Sequence, residues 1–324
     1  MRIAILGAGA IGGFLGARLA RQGADVVLVA RGPHLAAMRA DGLRLIEPNG
    51  EAVVRVEATD DFSVLRSAAT VILALKAQSL PAVAEKIAAN LDPSALVVSA
   101  QNGIPWWYFQ RHGGELEGVH LETVDPGGVV ARAIDPKNVV GCVVYAATSL
   151  EGPGIVVHIE GERFSLGELD GSRSERLVAL SDALAAAGLK APVQTRIRQE
   201  LWFKLLGNAV FNPISALTRA TLSQMATSPL VGRLVRAAME EVEAVAGRLG
   251  IEFDLSIDKR IAGAARVGGH KTSMLQDLEA GRPTEIDPMV GAVVELGDRL
   301  QVDVSHLRTL YSCVKLLEAS TSAR

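Results

Sequence analysis

Cysteine is scarce in this chain: Cys142 and Cys313 are the only two in 324 residues. They lie far apart and lack the C-x-x-C spacing of a zinc or redox site, so both read as buried, inert thiols. No disulfide framework can be drawn, which fits a reducing, cytoplasmic setting. No apolar run comes near the roughly eighteen residues that a membrane-spanning helix needs, and no membrane association is expected. Lys and Arg number 33 against 36 Asp and Glu, a net charge of −3, so the basic footprint of a nucleic-acid binder is missing. The histidines (His34, His112, His120, His158, His270 and His306) show neither H-x-x-x-H nor H-E-x-x-H spacing, and no metal site is expected. Aromatics make up only 4% of the chain, so the run Trp106-Trp107-Tyr108-Phe109 stands out. In a loop it suits the lining of a pocket mouth or an interface. Internal repeats and low-complexity segments are also lacking.

What is present is a hydrophobic fraction of 49% with 21% charged residues, the balance of a globular chain long enough for two cores. The N-terminal stretch organises it. Ile3–Leu6 is an apolar, β-branched run fit for a buried parallel strand. Gly7-Ala8-Gly9-Ala10-Ile11-Gly12 then matches G-x-G-x-x-G, a helix follows to Arg21, Gly23 stops it, and Val26–Val29 reads as a second strand. In this βαβ context the six loop residues form a dinucleotide cradle: Gly7 for the tight turn, Gly9 for backbone approach to a pyrophosphate, Gly12 for helix–strand packing. Arg2 followed by apolar residues superficially resembles a secretory leader, but phosphate-cradle glycines and a second strand argue against one. An NAD site places Asp or Glu after the second strand. Here Ala30-Arg31 stands there, and Arg31 can pair with a 2′-phosphate, which favours NADP(H) over NAD.

Further strands are expected over 70–75 and 96–100, with a helix over 82–90 between them. Lys76 and Asn102 then fall at the carboxyl edge of the sheet, where such sheets bind ligands. Leu43–Ile46 and Val53–Val56 read as a hairpin around Pro48-Asn49-Gly50. Residues 119–169 look β-rich and are expected to extend the same sheet. After about residue 195 helical periods take over: 198–217, 228–249, 256–267, 285–300 and 303–318. The boundary therefore divides residues 1–195 from 196–324.

In the helix over 198–217, Lys204, Asn208 and Asn212 recur at i, i+4 and i+8. They form one polar stripe about 12 Å long, flanked by Leu201, Trp202, Leu205, Leu206, Val210 and Phe211. A buried polar stripe is costly unless something satisfies it, and a polar ligand could. Thr284-Glu285-Ile286-Asp287 reads as a capping box, with Thr284 as N-cap and Asp287 at the third helical position. Ser273 and Glu285 flank the Gly281-Arg282-Pro283 break, and Glu285 is a carboxylate that could pair with Lys204.

Taken together, the G-x-G-x-x-G start, Arg31, Leu75-Lys76-Ala77, Gln101-Asn102-Gly103, Lys204-x3-Asn208-x3-Asn212-Pro213, Ser273-Met274-Leu275-Gln276-Asp277 and Thr284–Asp287 resemble the ketopantoate reductase family (2-dehydropantoate 2-reductase). The matched segments run from residue 3 to 287 in family order. The resemblance implies an α/β fold: an N-terminal Rossmann-like doubly wound sheet with a C-terminal all-helical domain, as in 6-phosphogluconate dehydrogenase. Residues 1–195 would be the NADP-binding domain and 196–324 the substrate and catalytic domain. The implied reaction is NADPH-dependent reduction of 2-dehydropantoate to pantoate, on the route to pantothenate and coenzyme A. By position, Lys204 resembles the general acid and Glu285 the carboxylate that orients it. Asn208, Asn212 and Ser273 resemble substrate-binding groups. Arg31, Lys76 and Asn102 resemble cofactor contacts, Asn102 also facing the substrate. The aromatic run departs from the best-known members and bears on which small 2-keto acid is taken. A related NADP-dependent dehydrogenase of another keto or hydroxy acid is the alternative enzyme. A silent NADP-binding sensor would need no Lys204–Glu285 pair. The apolar helical faces fit either a monomer or a homodimer.

Overall fold

The computed structural model describes residues 1–322. It divides into two compact units: Met1–Gln101, Trp106–His120 and Gly127–Ile197 in the first, and Asn102–Pro105, Leu121–Pro126 and Arg198 onward in the second.

The first unit contains β1 (Arg2–Leu6), α1 (Ala10–Arg21), β2 (Asp25–Val29), α2 (Gly32–Asp41), β3 (Leu43–Glu47), β4 (Gly50–Val54), β5 (Glu57–Thr59) and β6 (Thr70–Leu73). It continues with α3 (Ala84–Ala88), β7 (Leu96–Ser99), α4 (Val129–Ala133), β8 (Val139–Val144), β9 (Ala147–Gly152), β10 (Ile155–Glu160), β11 (Phe164–Glu168) and α5 (Glu175–Ala186). Seven strands form one sheet in the order β11-β8-β7-β6-β1-β2-β5, parallel except for the antiparallel edge β11. β1 pairs with β2 on one side, Ile3 opposite Val26, and with β6 on the other, Ile3 opposite Thr70. The strand order therefore reverses at β1, and the loop leaving β1 lies at the switch point of a doubly wound sheet.

The expectation that 119–169 simply extends this sheet is corrected. β8 and β11 join it, but β9 and β10 pair with the β3–β4 hairpin in a second sheet, β4-β3-β10-β9. The difference is written in the burial patterns. β8 (VVGCVV) is buried at every position, as a strand covered on both faces must be, whereas β10 (IVVHIE) alternates. α1 packs against β2 and against β9 and β10 of the second sheet. Its glycines make that possible: a Cβ at Gly16 would fall 2.5 Å from Leu28 Cδ2, and one at Gly13 would fall 2.8 Å from Val156 Cγ2.

The second unit is helical: α6 (Ile197–Thr218), α7 (Leu222–Thr227), α8 (Pro229–Arg248), α9 (Ile257–Arg266), α10 (Ser273–Glu279), α11 (Ala292–Leu300) and α12 (Ser305–Ser322). α8 buries Val235, Ala238, Met239, Val242, Val245 and Ala246, a helical-period stripe, and packs against α11 and α12. α7 and α10 are short and were not expected from periodicity. Their caps were the available signal: Thr221 and Gln224 form a capping box, and Thr272 Oγ1 accepts from Leu275 N–H at 3.3 Å.

The helix expected over 285–300 begins instead with one wide turn, Asp287–Gly291, before α11. The capping box there is half formed. Thr284 Oγ1 accepts from Ile286 N–H at 3.3 Å, but the Asp287 carboxylate takes Tyr311 Oη at 2.7 Å and Lys315 Nζ at 3.0 Å. Thr284 N–H donates to Glu318 Oε1 at 2.7 Å. Three partners on α12, distant in sequence, thus compete with the local cap.

Candidate active site

In the first unit the glycine loop is shaped by what each Cβ would meet. Gly7 has φ +98°, and a Cβ there would lie 2.9 Å from the Ala74 carbonyl carbon and oxygen. A Cβ at Gly12 would lie 2.0 Å from Gly7 O. At Gly9 nothing comes within 4 Å, so the loop presents bare backbone to open space. Gly9 is the N-cap of α1, offers no side-chain cap, and the first turn carries no acidic residue. Ala8 is buried, and Ala10 and Ile11 are half-buried at the helix start. Unsatisfied first-turn N–H groups, the positive helix end and open space beside Gly9 together fit a pyrophosphate.

Arg31 stands two residues beyond β2, is exposed, and is the N-cap of α2, so a guanidinium stands near the strand's carboxyl end. Lys76 is half-buried beyond β6 and accepts Ser79 N–H on its carbonyl at 2.9 Å. Sequence reasoning missed His34. Its Nδ1 accepts from Gly154 N–H at 2.9 Å, so the ring proton sits on Nε2, which donates to Ala8 O at 2.8 Å. Neutral His34 thus ties the glycine loop to the β9–β10 turn. A histidine three residues after Arg31 gives no local signal of this.

The aromatic run does not line a pocket mouth. Trp106, Trp107, Tyr108 and Phe109 are at most 4% exposed and form part of the core. The Trp107 ring lies so close to β8 that a Cβ at Gly141 would be 2.7 Å from it, and Tyr108 meets Phe109 edge-on at 4.8 Å. In the sequence, Gly141 inside a strand otherwise made of valines and Cys142 was the trace of this packing.

Asn102 belongs to the second unit, although it follows β7 by only three residues. There Lys204 Nζ donates to Asn102 Oδ1 at 2.6 Å, and Asn102 Nδ2 donates to Glu285 Oε2 at 3.0 Å. An ammonium only donates and a carboxylate only accepts, so the amide orientation is fixed by its partners. Lys204 is half-buried on α6, and Glu285 is 9% exposed just before the wide turn. Asn102 thus forms an amide bridge between Lys204 and Glu285. Gly103 seats that bridge. It has φ +79°, a Cβ on it would lie 2.4 Å from the Pro288 carbonyl, and the next residue, Ile104, donates to Pro288 O at 2.8 Å.

The rest of the polar stripe leads elsewhere in the same unit. Asn208, Asn212 and Ser273 line a pocket of about 780 Å³. Asn212 is 5% exposed, its amide 3.3 Å from Met289 Sδ, and Ser273 is exposed at the start of α10. Among the described residues no group of three or more His, Cys, Asp or Glu could hold a metal ion, and no helix is long and apolar enough to cross a membrane.

This arrangement matches known proteins along its whole length. Residues 3–171 match the family described as ketopantoate reductase PanE/ApbA, and residues 196–318 match its C-terminal domain. A 2-dehydropantoate 2-reductase of Mesorhizobium japonicum is 51% identical over 298 residues, 92% of this chain and 91% of the relative. A crystal structure of a candidate ketopantoate reductase from Ralstonia solanacearum superposes with a TM-score of 0.94 at 41% identity, covering 99% of this chain and 98% of the other. A PanE/ApbA family ketopantoate reductase from Ralstonia eutropha JMP134 gives 0.86 at 31% identity, covering 99% and 100%. The chain belongs to the ketopantoate reductase family.

Proposed function

We propose that this protein is an NADPH-dependent oxidoreductase that reduces 2-dehydropantoate to pantoate, a step toward pantothenate and coenzyme A. The observation that carries the reading is the hydrogen-bonded line from Lys204 through Asn102 to Glu285. Gly7, Ala8, Gly9, Ala10, Ile11 and Gly12 hold the cofactor's pyrophosphate by backbone N–H groups and the end of α1. Arg31 pairs with the 2′-phosphate, and Lys76 and Asn102 complete the cofactor contacts. Bound NADPH supplies the hydride.

The protein's part is proton and charge. Reduction of a ketone builds negative charge on its oxygen. Lys204 Nζ meets that charge as an ammonium and delivers the proton as general acid. Asn102 Oδ1 holds the ammonium in one place, and Glu285 holds the amide so that its oxygen, not its nitrogen, faces Lys204. Asn208, Asn212 and Ser273 bind the substrate's polar groups. Residues 1–195 then act as the NADP-binding domain and 196–324 as the substrate and catalytic domain, to which Asn102 is added.

We place the enzyme in the cytoplasm, in keeping with two cysteines that form no disulfide. It is a homodimer through the helical unit; Leu230 on α8 and Leu316 on α12, 72% and 71% exposed, support that, and the mass in solution tests it. The activity is tested by following NADPH absorbance with 2-dehydropantoate and a panel of other 2-keto acids. Fastest turnover with 2-dehydropantoate is expected. A folded protein that ignores it and reduces another keto acid would overturn the substrate assignment.

A further inference from the structure

We infer that Arg260 is the cation that takes the carboxylate of the 2-keto acid, an assignment that rests on the reductase reading. Asn208, Asn212 and Ser273 form one side of the pocket of about 780 Å³, and α9 supplies Lys259, Arg260 and Arg266. Three cations and no acid line it, in a chain whose net charge is −3. Such a lining selects an anion.

The three cations are not equivalent. Lys259 and Arg266 are exposed, while Arg260 is half-buried. Its guanidinium lies along α6: a Cβ at Gly207 would come 2.5 Å from Arg260 Nη2 and 3.0 Å from Nε, and the Phe203 ring centre is 5.7 Å from Arg260 Cζ. Gly207 is thus the space that the guanidinium fills, and Phe203 the ring beside it. Asn208 is the next residue along, and Lys204 stands one turn before Asn208, about 6 Å along the axis. A 2-keto acid carries its ketone and carboxylate on adjacent carbons. With Lys204 committed to the ketone oxygen, the carboxylate needs a second cation close by. Amides and a hydroxyl can hydrogen-bond a carboxylate but cannot neutralise it, whereas a seated guanidinium does both through two parallel N–H donors.

The experiment compares α-ketoisovalerate with its neutral methyl ester in the wild type and in R260A, R260K and G207A. Two readouts are taken: kcat/KM with NADPH, and binding to the protein loaded with NADP⁺. The wild type should prefer the acid. R260A should lose about 10- to 100-fold on the acid and stay within about threefold on the ester, the range of one charged hydrogen-bonded contact. R260K should fall between, and G207A should shift the same way by pushing the guanidinium off its seat. If R260A does not fold, R260K and G207A carry the test. Equal losses on acid and ester, or an acid preference that survives in the folded variants, would overturn the role of Arg260 while leaving the reductase standing. Acid binding that depends on Arg260 without any turnover would do the reverse. Failure of the wild type to bind either compound would sink both.

Discussion

In the proposed mechanism Lys204, Asn102 and Arg31 have roles that a residue of similar size or charge would not fill. Asn102 must accept from an ammonium and donate to a carboxylate at once, and an amide is the side chain with both an acceptor and two donors. An aspartate there would face Glu285 with like charge. Arg31 stands exposed where an NAD site would carry an acid. Replacing it by alanine should weaken NADPH binding about 10- to 100-fold, the worth of a charged pair, and leave NADH binding nearly unchanged. Titrating the R31A protein with each cofactor checks this, and equal losses for both would remove Arg31 from the 2′-phosphate.

At the scale of elements, the wide turn Asp287–Gly291 gathers the site. Glu285 precedes it, Pro288 receives the Gly103 loop, and Asp287 fastens it to α12 through Tyr311 and Lys315. Gly103→Ala would add a Cβ where the Pro288 carbonyl already lies and would strain a positive φ. We expect kcat to fall about 10- to 100-fold as Asn102 loses its position, with NADPH binding weakened far less because the glycine loop, Arg31 and Lys76 keep their places. A G103A protein with normal kcat would show that the loop tolerates the shift. Burial, with the Asp287 carboxylate next to it, pushes the Tyr311 phenol well above its ordinary value. The folded pKa is raised, so this contribution to stability is whole below about pH 10 and is lost as pH rises past it, because the unfolded chain gives up the proton first. Urea midpoints measured from about pH 9 to 11 should therefore fall more steeply for the wild type than for Y311F. Parallel curves would mean that the Tyr311–Asp287 bond does not distinguish the two states. The sequence made much of this legible. The glycine loop, the βαβ unit around it and the i, i+4, i+8 stripe are local patterns, and their elements formed within a few residues of expectation. The wide turn, the amide bridge and the His34 tether were not legible, because each joins residues far apart in the chain. The second sheet was misread for a related reason: which sheet a strand joins depends on which faces are covered, and only the polar His158 and Glu160 of β10, against all-apolar β8, hinted at it.

For the molecule as a whole, the proposed mechanism gives the two units separable tasks. The glycine loop, Arg31 and Lys76 belong to the unit built on the seven-stranded sheet, while Lys204, Asn102, Glu285 and the cationic pocket belong to the helical unit. Cofactor binding should therefore survive damage to the proton donor. The most direct measurement is kcat for 2-dehydropantoate in Lys204→Ala beside the NADPH dissociation constant of the same preparation. The account predicts a kcat lower by about 10²- to 10⁴-fold, the usual worth of general acid catalysis, with NADPH bound as tightly as by the wild type. A K204A enzyme that turns over at nearly the wild-type rate would contradict it.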